Sequence, residues 1–167
     1  MKCYAIIFLI FLILSSPITA VPTAKYDRIK AVNYANKYCQ NPNPSYEVLS
    51  GADCTNFASQ VLFNGGIPYD TNKIWQPYTG AWINVISFYN YLKKDYLAKD
   101  CKLTELKPGD FIQYRNSTSH VWDHTVVVVK GGADPTVDYH SSNRCNVKHS
   151  GVLSFGKDMF RGVCITK

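Results

Sequence analysis

The sequence predicts an α+β fold in one domain, with N-terminal helices packed on a C-terminal antiparallel β-sheet. Three observations carry this. Apolar residues recur at helical spacing through the first half of the chain. After the turn Lys107-Pro108-Gly109-Asp110 the pattern changes to short strand-like runs, among them four successive valines, Val126 to Val129. Helices first and strands afterwards argue for an α+β domain with an antiparallel sheet, and the sequence shows no internal repeat and no domain linker.

The elements follow in order. Residues 1–20 have the layout of a secretory signal peptide: Lys2 as a basic start, an apolar run from Tyr4 to Leu14, and Ser15-Ser16-Pro17-Ile18-Thr19-Ala20 as a small-residue cleavage region. The expected mature domain is 21–167, and no later run approaches the ~20 apolar residues of a membrane span. Tyr26 to Tyr38 reads as a helix with Tyr26, Ile29, Val32 and Ala35 on one face. Asn41-Pro42-Asn43-Pro44-Ser45 forces a loop, because proline removes a helical donor. A second helix starts near Asp53, a capping residue type, carries Phe57, Ala58, Val61 and Leu62, and stops at Asn64-Gly65-Gly66. The segment from Pro68 to Gly80 is irregular and aromatic. A third helix is expected from Trp82 to about Leu97, with Trp82, Val85, Ile86, Tyr89 and Leu92 on one side. Expected strands are Phe111 to Tyr114, Val121 to Lys130, Thr136 to His140, Val152 to Phe155 and Phe160 to Thr166.

Composition narrows the function classes. The formal net charge is +6, of which Lys2 in the leader supplies one. That balance suits approach to anionic surfaces such as bacterial walls. It does not indicate nucleic acid, because the basic residues are scattered and form no block. Cys3 leaves with the leader, so Cys39, Cys54, Cys101, Cys145 and Cys164 remain. In an oxidising compartment four can pair and one is left over. Three pairings of four cysteines are open; the preferred one joins Cys145 to Cys164 and Cys39 to Cys101. Cys54 is then the unpaired thiol. Each bridge contributes on the order of 3 kcal/mol.

Cys54 is also placed for chemistry. A thiol in the first turn of a helix faces unsatisfied N–H groups and the positive end of the helix dipole, which favour the thiolate nucleophile. Such a thiolate needs a base, usually histidine. Of His120, His124, His140 and His149, His124 opens the valine strand, where a sheet end would hold it rigidly. A hairpin of the next two strands would bring His140 beside it to orient the ring. The alternative, a metal site at His120 and His124, lacks the zinc-protease glutamate, and the following valines demand a strand. The pattern therefore calls for no metal and no cofactor. Trp75, Tyr78 and Trp82 either line a cleft or belong to the core.

These residues resemble a known family. Asp53-Cys54-Thr55-Asn56-Phe57-Ala58-Ser59-Gln60-Val61-Leu62 with Gly65-Gly66-Ile67-Pro68 is similar to the putative amidase domain family, within the NlpC/P60-like superfamily of papain-related cysteine hydrolases. The likeness continues through Tyr26-Asp27-Arg28, Trp82, Lys107-Pro108-Gly109-Asp110, Trp122-Asp123-His124 and Tyr139-His140-Ser141-Ser142-Asn143-Arg144. The resemblance implies Cys54 as nucleophile, His124 as base and a polar orienter, best filled by His140 with Asn143 as fallback. It implies a papain-like arrangement and a hydrolase of amide bonds, with bacterial peptidoglycan as the expected substrate; the leader makes the expected protein a secreted one, and a monomer is expected. Stable membrane insertion is not expected. The competing readings are a catalytically silent wall- or glycan-binding or toxin-like module, and a general cysteine peptidase or acyl transferase. Asn116-Ser117-Thr118 is a glycosylation sequon, which places a candidate glycan at Asn116.

Overall fold

The structure, a computed structural model, describes residues 25–94 and 97–167, so the expected leader at 1–20 lies outside the described residues. Within the described residues, five helices and six strands form an α+β architecture. The strands are all antiparallel and lie in the order β1-β6-β2-β3-β4-β5. They are β1 (Ala98–Cys101), β2 (Phe111–Asn116), β3 (Trp122–Lys130), β4 (Thr136–Tyr139), β5 (Arg144–Lys148) and β6 (Lys157–Ile165). The helices are α1 (Arg28–Tyr38), α2 (Asp53–Asn64), α3 (Gly80–Ile83), α4 (Val85–Lys94) and α5 (His149–Leu153).

Helix α2 is the central strut. Its residues Phe57, Ala58, Val61 and Leu62 are fully buried, as their spacing requires, and Gly65 caps its end. Its polar residues are buried too. Thr55 bonds to Thr125 of β3, Ser59 donates to the Trp82 carbonyl, and Gln60 accepts from the Tyr34 hydroxyl of α1. Buried polar groups need such partners, because an unsatisfied one costs about 1–3 kcal/mol. Trp75 and Trp82 are fully buried beside α2, their indole nitrogens donating to Ser59 and Asn56. They are core residues and line no cleft; Tyr78 is exposed and its hydroxyl accepts from the Glu47 N–H.

The valine strand β3 is covered on both sides. Val127 joins the core beneath α2, while Val126 and Val128 join a second core with Ile112, Tyr114, Val137, Tyr139 and Val152. The sheet thus divides the molecule into a helix side and a far side.

Several expectations are corrected. Helix α1 starts after Asp27, whose carboxylate accepts from the Lys30 N–H, and buries Ala31, Tyr34 and Ala35 while Ile29 is exposed. Its buried face is therefore rotated from the expected one. The third helix is two, α3 and α4, because Asn84 adopts an extended backbone between them. Residues Val152 to Phe155 lie in α5 and the turn after it rather than in a strand. Strands β1 and β5, both at sheet edges, were not expected.

The four cysteines other than Cys54 do pair, but as Cys39–Cys145 and Cys101–Cys164. The reason is topological. β1 pairs with β6 so that Lys99 opposes Cys164 and Cys101 opposes Gly162, which brings Cys101 within a bond of Cys164. That leaves Cys39, at the end of α1, for Cys145 on β5.

Candidate functional site

Cys54 lies in the first turn of α2 and is buried, the free cysteine of the described residues. Ala52 is the helix cap and Asp53 the first helical residue, one position from the expected cap at Asp53. The Asp53 N–H donates instead to Ser141 Oγ at 3.1 Å, so the capping group comes from the loop after β4. The Cys54 sulfur makes long contacts with Thr55 Oγ1 at 3.8 Å and with the Asp123 carbonyl at 3.9 Å. Burial pushes the thiol up from its ordinary range, against hydrogen bonds from the Thr125 and Thr55 N–H groups that favour the thiolate. At neutral pH the resting thiol is protonated.

Asp53 has the opposite character. Its carboxylate accepts from the Leu49 N–H, from Asn56 Nδ2 at 2.7 Å and from His140 Nδ1 at 2.6 Å. Burial works to raise this carboxyl, but the hydrogen bonds from His140, Asn56 and Leu49 outweigh it and hold it below the usual range. His140 is fully buried. Its Nε2 meets the Tyr38 carbonyl at 2.8 Å and its ring stacks on Phe57 with centroids 3.9 Å apart. The pair pins the start of α2 to the sheet and to the end of α1.

His124 lies elsewhere. It opposes Tyr114 across β2 and β3, and its ring meets the edge of Tyr139 with centroids 4.9 Å apart. Those tyrosines belong to the far-side core. Side chains alternate along a strand, so Thr125 faces α2 and His124 does not. The β2–β3 register shifts at Asp123, so that Trp122 opposes Arg115. Trp122 then stacks on the Arg161 guanidinium, 4.2 Å away, which also covers Tyr89 and bonds to Gln113. Burial pushes the His124 imidazole down to about 4, reinforced by Lys157 and opposed by Asp123. It is neutral at pH 7.

The structure thus brings His140 to Asp53 beside Cys54, and brings neither imidazole to the sulfur among the described residues. His124 and His140 do not meet, because their rings lie on opposite faces of the sheet. Asn143 is remote, its amide donating to the Gln40 carbonyl at 3.3 Å. His120 sits in the turn before β3 with Nδ1 at 3.2 Å from Asp158. Asn116 ends β2, its side chain already engaged with the Thr118 and Ser119 N–H groups and with Asp123. Sequence reasoning missed Ser141, Asp53 as a partner of His140, and Thr125. Strand alternation along β3 could have found Thr125, but no local signal marks Ser141 or the Asp53–His140 contact, whose partners lie 88 and 87 residues apart.

A family model described as a putative amidase domain matches residues 25–162. The chain is 36% identical over 149 residues to the uncharacterized protein YjcM of Bacillus subtilis (strain 168), covering 82% of this chain and 36% of that protein. It is 35% identical over 117 residues to the uncharacterized protein YhbB of the same strain, covering 63% of this chain and 37% of that protein. The chain therefore spans little more than a third of the relatives it matches. No solved structure matches it.

Proposed function

Because this chain belongs to the putative amidase domain family, we propose that it is an exported cysteine hydrolase of amide bonds, acting on bacterial peptidoglycan. One observation carries the reading: four of the five described cysteines are locked in disulfides, and the one thiol left free sits in the first turn of α2. Export is supported by those disulfides, and no described helix is long and apolar enough to cross a membrane. The bacterial relatives and the basic balance support the wall as substrate.

In this mechanism the Cys54 thiolate attacks the scissile carbonyl and the Cys54 backbone N–H at the helix start receives the developing oxyanion. His124 takes the thiol proton, gives it to the leaving amine and then activates water to release the acyl-enzyme. Its neighbours Asp123 and Thr125 already touch the sulfur. The imidazole itself must turn to the helix side of β3. An irregular register such as that at Asp123 is where a strand can change which side chain faces inward. His140 acts as a positioning residue, holding Asp53 and through it the first turn of α2. A papain-related architecture of the NlpC/P60-like kind is part of this proposal.

The direct test is incubation of the purified protein with a defined muropeptide panel and identification of the new termini. The expected result is one class of cleaved amide, lost in Cys54→Ala and in His124→Ala. Equal release by the Cys54→Ala variant would overturn the mechanism. The second reading is a catalytically silent wall-binding module, favoured by the burial of the thiol and by the absence of an imidazole at the sulfur among the described residues. It predicts sedimentation with insoluble peptidoglycan and no new termini.

A further inference from the structure

The far side of the sheet carries a cavity of about 370 Å3 whose lining does not include Cys54. Its polar wall is formed by His124, Tyr139, Ser142, Arg144 and Lys157, and its apolar wall by Val152 and Phe155. The wall is rich in donors and poor in acceptors. Among the described residues, no hydrogen bond or ion pair within the protein engages the side chains of Arg144 or Ser142, or the Tyr139 hydroxyl. Lys157 is paired with Asp123. Phe155 is 75% exposed, a large apolar side chain left at the rim with nothing packed over it.

Charge decides between ligand classes. Arg144 and Lys157 supply two positive charges, Asp123 cancels one, and His124 is neutral at pH 7. One uncompensated positive charge suits a monoanion better than a doubly charged phosphate, which would also approach Asp123. A guanidinium presents a planar fork that matches a carboxylate with two parallel hydrogen bonds. Clefts that hold small ligands combine a few such polar groups with apolar walls.

We propose that this cavity binds a monocarboxylate with an apolar body, such as the free C-terminus of a short peptide. Arg144 takes the carboxylate in a fork, the Ser142 and Tyr139 hydroxyls donate to it, and Val152 and Phe155 cover the apolar body. The site rests on the cavity and its donors and does not depend on Cys54 acting as a nucleophile. It accounts for Ser142 and Arg144, which the sequence placed in one motif with His140 and which the hydrolase reading leaves without a role.

The test is a titration of the whole protein with N-acetyl-leucine, N-acetyl-leucinamide and inorganic phosphate, followed by the imidazole C2–H resonance of His124. The carboxylate should bind saturably and raise the titration midpoint of His124, which otherwise faces Lys157, Asp123, Arg144, Tyr114 and Tyr139. The uncharged amide and phosphate should each bind at least tenfold more weakly. Arg144→Gln should weaken the carboxylate at least tenfold and Arg144→Lys less, with the His140 resonance unmoved as a check on the fold. Equal binding of the amide, equal or tighter binding of phosphate, no saturable binding, or an unchanged affinity in a folded Arg144→Gln protein would each overturn the proposal. Should Arg144→Gln fail to fold, the comparison of the three ligands on the wild-type protein decides alone.

Discussion

Asp53 and Cys54 are adjacent in sequence, yet their surroundings push their protons in opposite directions. The Asp53 carboxylate has three donors, whereas the Cys54 sulfur has weak contacts and little water. Alkylation of the folded protein by iodoacetamide at neutral pH should therefore run at least tenfold slower than alkylation of the denatured chain, and should accelerate only above the ordinary thiol range of ~8.5. Equal rates in the two states would show that the thiol is not held neutral. Asp53 carries stability instead. Replacing the carboxylate leaves the buried donors from Leu49, Asn56 and His140 short of acceptors, and an unsatisfied buried group costs about 1–3 kcal/mol, which is the least loss expected for Asp53→Asn in urea unfolding at pH 7. A carboxyl held low in the folded state stabilises above its unfolded value of ~3.9, and that contribution is lost as pH falls through the folded value. The gap between wild type and Asp53→Asn should thus narrow in strong acid, and a gap constant down to pH 2 would sink the linkage. Cysteine counting made Cys54 legible in the sequence as the odd thiol. Its setting was not legible, because Ser141 and His140 reach α2 from the turn after β4, far along the chain.

At the scale of elements, periodicity revealed what is buried and missed what is not. α2 has four fully buried apolar positions at helical spacing, and β3 has its valines, so both were readable. β1 (Ala-Lys-Asp-Cys) and β5 (Arg-Cys-Asn-Val-Lys) are edge strands with polar residues facing water, so neither shows a strand pattern. The disulfides follow from those two hidden strands: without β1 beside β6 and β5 at the far edge, no spacing argument selects the pairing. Peptide mapping under non-reducing conditions should recover Cys39 linked to Cys145 and Cys101 linked to Cys164. Fragments joining Cys145 to Cys164 would be incompatible with β1 lying beside β6 and β5 at the opposite edge. The first bridge spans 106 residues. A loop of that length makes a cross-link worth about 4–5 kcal/mol in the chain-entropy view, which is the loss expected for Cys39→Ala with Cys145→Ala. Gly162 reports on the same joint. A Cβ there would lie 2.5 Å from the Cys101 carbonyl, so Gly162→Ala should force β1 away from β6 at a cost of about 1–3 kcal/mol.

Taken whole, the molecule keeps two histidines neutral on the far side of its sheet, and this sets its response to acid. Burial lowers His124 to about 4. Burial likewise lowers His149, against the pull of Asp134, while its Nδ1 shares a hydrogen bond of 2.8 Å with the Tyr114 hydroxyl. Between the unfolded value of ~6.5 and these lower folded values, the unfolded chain binds more protons than the native one. Stability is therefore complete above about pH 6.5 and drains away as pH falls towards 4, by about 3 kcal/mol for His124 alone. Asp138 works in the other sense: burial raises its carboxyl against the Asn146 N–H, and its Oδ2 has no partner. The native state then holds a proton that the unfolded chain releases, so Asp138 favours folding in acid and partly masks the histidines. The total pH profile cannot isolate His124, but the difference between two proteins can. Wild type and His124→Gln share Asp138, Asp53 and His149, and glutamine does not titrate. Unfolding free energies measured in urea at half-unit steps from pH 7.5 to 3.5 should fall about 3 kcal/mol further in the wild type, with the divergence confined to the interval between 6.5 and 4. Parallel curves would mean that His124 is solvated in the native state. The far-side cavity would then lose the neutral imidazole on which its single uncompensated charge depends.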